Sequence, residues 1–376
     1  MTKKKLLRFL GSLELSLVSM GLLMALVLMG TFAQVRYGIY FSTQTFFNSF
    51  WVIWPFHGVS LPIFPGGWTV GILGLANLTV AHFNQFRWDV KQSGIVLIHF
   101  GLIVLLLGAG LTGALGVESQ MQIAEGQTAV YSEDFKKMAL DFVAEGPTED
   151  TVTSIPQHLL ENPSIQTSYL PFVIEVNDFW PNVQLRMDSQ GSDTRVDHGI
   201  GQHTRITPIP VDYADDQVNQ PAAIVTLRFG GQNLGTYLVS SALKPLQSVT
   251  VDGRTFQFGM RPTRYYNDFV LTLSDFVHER YAGTETPSRF ASRLRLTDPQ
   301  AGENRDVEIS MNEPLRYKGK TYYQASFGQN DRLTVLQVVE NPAWPIPYMA
   351  CVIISLGLLV HFTIRLGRLG RKSAHG

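Results

Sequence analysis

The residues of this sequence that could do chemistry in an unusual place are three histidines associated with long apolar runs. His99 is the deepest of them, inside SGIVLIHFGLIVLLLGAGLTGALG, which begins at Ser93, whereas His82 and His361 lie near the ends of two other runs. An ionisable side chain within a membrane span is costly, and such residues usually have a function. Neutral imidazole is a good ligand for iron or another transition metal. Depth alone therefore indicates a ligand role for His99.

Other interpretations of these residues stay open. His99 could belong to a proton relay or hydrogen-bond to Asn77, and His82 and His361 could anchor helix ends near the lipid headgroups. The run around His99 also contains small residues, which would let a haem macrocycle lie flat against the helix or let two helices pack closely. These residues are Gly101, Gly108, Ala109, Gly110 and Gly113.

The rest of the sequence shows no second group of residues with the pattern of a catalytic or metal-binding site. The remaining histidines that we considered are scattered, at positions 57, 158, 198, 203 and 278. Cys351 is the one cysteine, so no disulfide forms within the chain and no C-x-x-C pair exists. G-x-S-x-G and P-loop patterns are missing too, and no catalytic residue is predicted. A net charge of −1 excludes a strongly basic nucleic-acid-binding protein.

Composition and hydropathy indicate four transmembrane helices. Of the 376 residues, 45% are hydrophobic and 16% are charged, against about 25% charged in an average soluble domain. A bilayer needs about 20 apolar residues in a helix, and the predicted spans are residues 15–33, 68–83, 94–115 and 344–364. The first span, with its basic start, could also be a cleaved signal peptide, but its apolar core is longer than is usual for one.

Basic residues set the predicted orientation. The basic tail 1–14, the loop 84–92 with Arg87 and Lys91, and the basic tail 365–376 are predicted to be cytoplasmic. Residues 35–67 and 117–343 are then extracytoplasmic. Because 35–67 is rich in aromatic residues, it is expected to be an interfacial helix or an aromatic belt.

The region 117–343 has the pattern of an all-β domain. Short alternating runs such as FVIEVNDF, AAIVTLRF, DFVLTLSDF and SRLRLTD recur between Gly, Pro, Asn and Asp residues. The stretch from residue 171 and the stretch from residue 268 echo each other. We predict a sandwich-like domain of two related modules, about 165–245 and 250–340. The fold class is therefore a membrane protein with four transmembrane α-helices and a large extracytoplasmic all-β domain between helices 3 and 4.

Three parts of the sequence resemble the ResB family. They are FLGSLELSLVSMGLLMALVLMGT near the start, the run around His99 with the following IAEGQT, and DFVLTLSDF with ISMNEPLRYKGKTYYQASF near the end. The pattern N-E-P-L-x-Y-x-G-x-x-Y-Y-Q-A-S-F is the most specific piece. Residues of about 150–255 carry little of the resemblance.

The resemblance implies a subunit of the system II cytochrome c biogenesis machinery in the cytoplasmic (inner) membrane. Such a subunit works with a membrane protein of the ResC (CcsA) type, moves haem b to the outer face and supports its attachment to apocytochrome c. His99 matches the family's haem-ligating position. The sequence departs from a complete synthase because it lacks a tryptophan-rich haem motif. A partner is therefore expected, and the lone Cys351 leaves thiol reduction to a thioredoxin-like protein.

Two alternatives compete with this interpretation. A b-type electron-transfer subunit would need two axial histidines within this chain, such as His99 with His361 or His82. A non-haem assembly scaffold would use its membrane helices only as anchors.

Overall fold

A computed structural model describes most of the chain as two compact units. It describes residues 3–56, 59–85, 89–147, 149–187, 195–212, 218–280, 283, 287–328 and 332–373. One unit, which we call the helical unit, comprises mainly Met1–Val117 and Glu340–Gly376, and the other, the β unit, comprises Glu118–Asp212 and Asp216–Val339. His57 and Arg87 lie outside the described residues.

The helical unit contains five α-helices in the part of the chain that the structure describes. They are α1 (Lys3–Leu10), α2 (Leu13–Ser42), α3 (Gly67–Gln85), α4 (Ser93–Leu115) and α5 (Pro345–Ser373). Each predicted span coincides with one of the helices α2 to α5. Three segments are long and apolar enough to cross a membrane, namely Leu13–Phe47, Val90–Leu115 and Pro345–Gly367. Helix α3 has 19 residues but falls outside this set.

The aromatic segment after the first span does not form the interfacial helix that the sequence predicted. Helix α2 instead continues to Ser42 past a kink at Gly38, where φ is 82°, and one π-helical turn follows at Thr43–Phe47. Strands β1 (Trp51–Phe56) and β2 (Val59–Pro65) then pair as an antiparallel hairpin. The prediction failed because β-branched and aromatic residues that alternate in burial favour a strand over a helix.

The β unit is almost entirely antiparallel sheet. Its strands are β3 (Val117–Ala124), β4 (Thr128–Ala144), β5 (Thr151–Pro156), β6 (Ser164–Ile165), β7 (Val173–Trp180), β8 (Val183–Met187), β9 (Thr204–Pro208), β10 (Ala222–Phe229), β11 (Gln232–Ser240), β12 (Gln247–Val251), β13 (Arg254–Arg280), β14 (Pro287–Asp298), β15 (Glu303–Ser310), β16 (Leu315–Tyr317), β17 (Lys320–Gly328) and β18 (Leu333–Glu340). A ten-stranded sheet has the order β15-β14-β13-β4-β3-β18-β17-β16, with β12 on β13 and β5 on β4. A second sheet has the order β11-β10-β7-β6, and β8 pairs with β9.

Three hydrophobic cores lie in the described part of the β unit, two of them large and one smaller core around Val183, Ile224 and Leu238. The first core combines Leu140 and Phe142 of β4 with Phe258 of β13 and residues of the four-stranded sheet. The second combines Leu271 and Leu273, farther along β13, with residues of β3, β14, β17 and β18. The modules therefore share the long strands β4 and β13 and are not consecutive in the sequence.

Irregularities in strand pairing let β13 serve both large cores. Its register against β4 shifts between Pro262 and Thr263 and again between Tyr266 and Leu271. Such β-bulges bend a strand and increase its local twist. One 27-residue strand of the ten-stranded sheet can therefore bend and contribute to both large cores.

Candidate functional site

Helices α4 and α5 pack along a seam of glycines. A Cβ atom added to Gly94 would lie 2.5 Å from the backbone nitrogen of His361, and one added to Gly101 would lie 2.6 Å from Ile354. Gly108 meets Ile346 in the same way, seven residues farther on. Close approach of two helices through small residues is the general means of packing in membranes. Gly101 and Gly108 thus serve helix packing, the second of the two interpretations above.

His99 lies on the other side of α4. It follows Gly94 by five residues, which at about 100° per residue places it about 140° around the helix from the seam. Its imidazole is half-buried, and Nδ1 lies 2.9 Å from the carbonyl oxygen of Ile95. Because a carbonyl oxygen only accepts, this contact fixes Nδ1 as the protonated nitrogen and Nε2 as the basic one.

The side of α4 that carries His99 faces α3. His82 of α3 is buried, with 3% of its surface exposed, and its ring centroid lies 6.4 Å from that of Phe100. His82 and His99 are close enough to interact electrostatically. The structure therefore brings two of the three predicted residues into one neighbourhood, whereas His361 lies at the opposite seam.

An open strip runs along α3 and α4 beyond the two histidines. Gly110 and Gly113 follow His99 by 11 and 14 residues, which keeps them within about 40° of it around the helix. A Cβ added to Gly110 would meet only Trp68 of α3, at 3.7 Å, and one added to Gly113 or to Gly71 of α3 would meet nothing within 4 Å. We call Gly71, Gly110 and Gly113 the open strip. At a rise of about 1.5 Å per residue, Gly110 and Gly113 lie about 16 and 21 Å from His99 along the axis of α4.

The arrangement of His99 and Ile95 is suitable for one bond from His99 to a haem iron. Histidine ligands commonly donate their second ring N–H to a backbone carbonyl, which orients the ring and makes the other nitrogen more basic. The contact of His99 with Ile95 has that form. Across the described residues, no group of three or more His, Cys, Asp or Glu side chains could hold a metal ion. A macrocycle that brings its own four nitrogens needs fewer protein ligands.

The sequence suggested Asn77 as a hydrogen-bond partner of His99, but the hydrogen bonds of its side chain go to residues of α1, of α2 and of the break between them. Its amide nitrogen donates to the carbonyl oxygens of Leu10 and Ser12, at 2.7 and 3.0 Å, and its Oδ1 accepts from the Ser16 hydroxyl at 2.7 Å. The side chain is buried. Asn77 thus ties α3 to the break between α1 and α2, where backbone carbonyls lack helical partners.

The motif that carried most of the resemblance builds the second core of the β unit. Tyr322 is fully buried there, and the Tyr317 hydroxyl donates to Asp298 at 2.8 Å. Lys318, whose φ is 45°, forms a tight turn with Gly319 and pairs with the same carboxylate at 2.5 Å. The motif is thus a structural signature of this module.

Asp298 is the charged group of that module that the sequence did not single out. The ion pair with Lys318 and the backbone N–H of Ala301 lower its pKa from an ordinary 3.8 to about 2. Burial and the bond to Asp298 raise the pKa of Tyr317 to about 12. An aspartate at the end of a strand is a weak sequence signal, because only the fold shows that the side chains of Tyr317 and Lys318 converge on it.

Histidines of the β unit do not form a metal site in the described part of the chain. His198 is exposed and bonds through Nδ1 to Asp197 at 2.8 Å. The ring of His278 lies 4.6 Å from that of Phe327, in an aromatic cluster with Phe276 and Phe290.

Helices of membrane-spanning length and a large inserted antiparallel β unit define a class of membrane protein with a β domain. The sequence matches the ResB-like family over residues 89–229 and 235–335, more than half of the chain. The chain belongs to the ResB-like family, as the sequence pattern predicted.

Two relatives extend this comparison. Protein NrfI of Wolinella succinogenes is 26% identical over 321 residues, which are 81% of this chain and 31% of NrfI. Cytochrome c biogenesis protein CcsB of Synechococcus sp. (strain CC9311) is 38% identical over 81 residues, which are 22% of this chain and 18% of CcsB. The chain thus spans less than a third of the length of either relative.

Proposed function

We propose that this protein is the ResB-like subunit of a system II cytochrome c synthase complex, which carries haem b across the membrane and supports its covalent attachment to apocytochrome c. Membership of the ResB-like family and the similarity to a protein named for cytochrome c biogenesis support this role. The observation that carries it is the Nδ1 contact of His99 with Ile95, which presents Nε2 as a ligand.

The proposal includes four membrane crossings. Helices α2, α4 and α5 have the length and hydropathy for it, and we assign the fourth crossing to α3, whose 19 residues reach about 28 Å. Asn77 lowers the hydropathy of α3, yet its polar groups are all used in bonds to residues 10–16. Both termini are then cytoplasmic and the β unit is extracytoplasmic in the inner membrane.

In this role His99 binds and orients haem from inside the bilayer. Its ring is oriented by the contact of Nδ1 with the Ile95 carbonyl oxygen. When bound, haem supplies the vinyl groups that form thioethers with the cysteines of apocytochrome c. We assign the second axial histidine to a ResC/CcsA-type partner. A thioredoxin-like protein would keep the apocytochrome cysteines reduced.

A second candidate function rests on His82. Because His82 and His99 share one neighbourhood, this chain could hold haem between two of its own histidines, as a b-type electron-transfer subunit would. The two functions differ in whether haem needs the partner.

The test is an absorption spectrum of the protein purified with and without its partner, for wild type, His99→Ala and His361→Ala. The proposed function expects haem in the complex only, strongly reduced in His99→Ala and retained in His361→Ala. Cells carrying His99→Ala should lose c-type cytochromes, and added imidazole should restore part of them. Normal cytochrome c levels in His99→Ala would contradict the proposal. Haem bound by the chain alone, and lost in His82→Ala, would establish the electron-transfer function instead.

A further inference from the structure

The β1–β2 hairpin has a buried face and an exposed face, and both are apolar. Val52 is fully buried in a cluster with Leu26, Ala33 and Phe46. The opposite face includes Trp51, Ile53 and Ile63, which are 54%, 53% and 55% exposed. We call these three residues the outer face. A hairpin in water would normally alternate apolar with polar residues, because only one of its faces is buried.

Contacts with α2 place the hairpin beside the second half of that helix. Val52 of the hairpin shares a cluster with Ala33 of α2, and the rings of Tyr37 and Trp54 are 6.0 Å apart. Ala33 lies 20 residues after the start of α2, a rise of about 30 Å. The hairpin is therefore near the end of the span that is farther from the basic tail.

The base of the hairpin is fixed to the chain on both sides. A Cβ on Gly67 would clash with the carbonyl oxygen of Phe47, at a separation of 2.2 Å, and one on Gly66 would clash equally with Ser49. The backbone N–H of Gly66 also donates to the carbonyl oxygen of Phe50 at 2.9 Å. These close contacts at its base restrict rotation of the hairpin away from α2 and α3.

The sequence around the hairpin carries no formal charge over a long distance. Between Arg36 and Arg87 there is no Asp, Glu, Lys or Arg. Both strands of a two-stranded sheet are edges, and edges exposed to water are usually protected by charged side chains. Here three prolines, Pro55, Pro62 and Pro65, occupy strand positions and remove N–H donors. This composition suits lipid better than water.

We propose that the outer face of the hairpin inserts into the outer leaflet of the bilayer, at the boundary between headgroups and acyl chains. This inference rests on the membrane topology of the proposed function. Unpaired strand edges exclude the centre of the hydrocarbon, where water cannot satisfy them. Tryptophan favours the interface, and the apolar surface of α2, with Phe32 69% and Val35 86% exposed, continues beside the hairpin. Lipid is thus the occupant that the surroundings of the hairpin favour.

The test uses single cysteines on the full chain in lipid nanodiscs. In a Cys351→Ala background, Ile53→Cys and Ile63→Cys are each labelled with an environment-sensitive fluorophore. Met24→Cys, on the exposed side of α2, is the control for lipid contact, and Leu246→Cys, an exposed residue of the β unit, is the control for water. Brominated phosphatidylcholine quenches labels in lipid, whereas iodide quenches labels in water.

Brominated lipid should reduce the emission of the Ile53 and Ile63 labels by about twofold, as it does for Met24, because interfacial side chains contact acyl chains. Quenching by iodide alone would overturn the proposal. Protection from both quenchers would also overturn it, since a protein partner or second copy would then cover the outer face. If the Met24 label itself escapes brominated lipid, the proposed topology fails, which is a separate result from failure at the hairpin.

Discussion

The backbone of His361 lies against Gly94, so close that a Cβ on the glycine would lie 2.5 Å from the backbone nitrogen of His361. This contact starts the α4–α5 seam, and it places His361 and His99 on different sides of α4. His82 shares the side of His99 instead. Of the two pairings that the sequence allowed within the chain, the structure thus favours His99 with His82.

Replacing Gly94 with leucine should separate α4 from α5. The larger side chain cannot be accommodated by the backbone of His361, and overpacking of this kind costs about 1–3 kcal/mol. Thermal unfolding of the purified protein in detergent measures the loss. Gly21→Leu is the matched control, because a Cβ at Gly21 meets nothing within 4 Å. Equal stability of the two variants would show that the seam does not hold the helices together.

Gly113→Leu should leave both haem content and stability unchanged. A Cβ at Gly113 meets nothing within 4 Å, and Gly113 lies 14 residues from His99, about 21 Å along the axis of α4 and out of reach of a macrocycle bound there. Haem per protein is measured from the absorption spectrum of the complex, next to its melting temperature. A loss of haem in this variant would mean that the macrocycle does not lie at His99.

Asn77→Ala should destabilise the helical unit by about 1–2 kcal/mol, since buried hydrogen bonds between membrane helices contribute up to about that much. The substitution leaves the Leu10 and Ser12 carbonyls and the Ser16 hydroxyl without this partner. Unfolding in mixed detergent measures the effect. Thr31→Ala is the control, because the Thr31 hydroxyl bonds only locally, to the Val27 carbonyl in the same helix. A loss no larger than that of Thr31→Ala would refute the role of Asn77.

Asp298 should make the β unit sensitive to acid. The pKa of Asp298 is about 2 in the folded chain and 3.8 for an aspartate without partners, as in the unfolded chain. Between these two pH values the unfolded chain therefore binds the proton more readily than the folded chain. The stabilisation is complete above about pH 4 and is lost as the pH falls through about 2. Melting curves of the β-sheet circular dichroism signal at several pH values test this.

The substitution Asp298→Asn should lower stability at neutral pH and flatten its pH dependence in the acid range. Asp275→Asn is the matched control, because Asp275 pairs with Arg293 at the surface, where ion pairs contribute little. An unchanged acid profile in Asp298→Asn would rule out this carboxylate as the cause.

Part of this architecture is determined by local sequence. Long apolar runs predicted where the helices α2 to α5 lie, and three of these segments are long and apolar enough to cross a membrane. Alternating β-branched runs predicted an all-β region between α4 and α5. The motif around Tyr322 identified the family, since its residues are constrained by one densely packed core.

The aromatic segment after α2 shows where local reasoning fails. Its exposed and buried residues are both apolar, so neither a period of two nor one of 3.6 could be read from hydrophobicity. The hairpin forms because Val52 meets Leu26 and Phe46 across the fold. Likewise, nothing in the sequence indicates that β4 and β13 pass through both large cores, because strand partners far apart in the chain leave no local pattern.

The sequence by itself determined the apolar helices, the β-rich insertion, the family and His99 as the candidate ligand, because hydropathy and residue type are properties of the chain alone. The tertiary structure decided which glycines pack against α5 and which stay open, and that His82 rather than His361 lies near His99. Both depend on which faces of the helices meet, and local sequence does not specify this for α4 and α5, whose contacting residues Gly94 and His361 are 267 positions apart, or for the neighbouring helices α3 and α4.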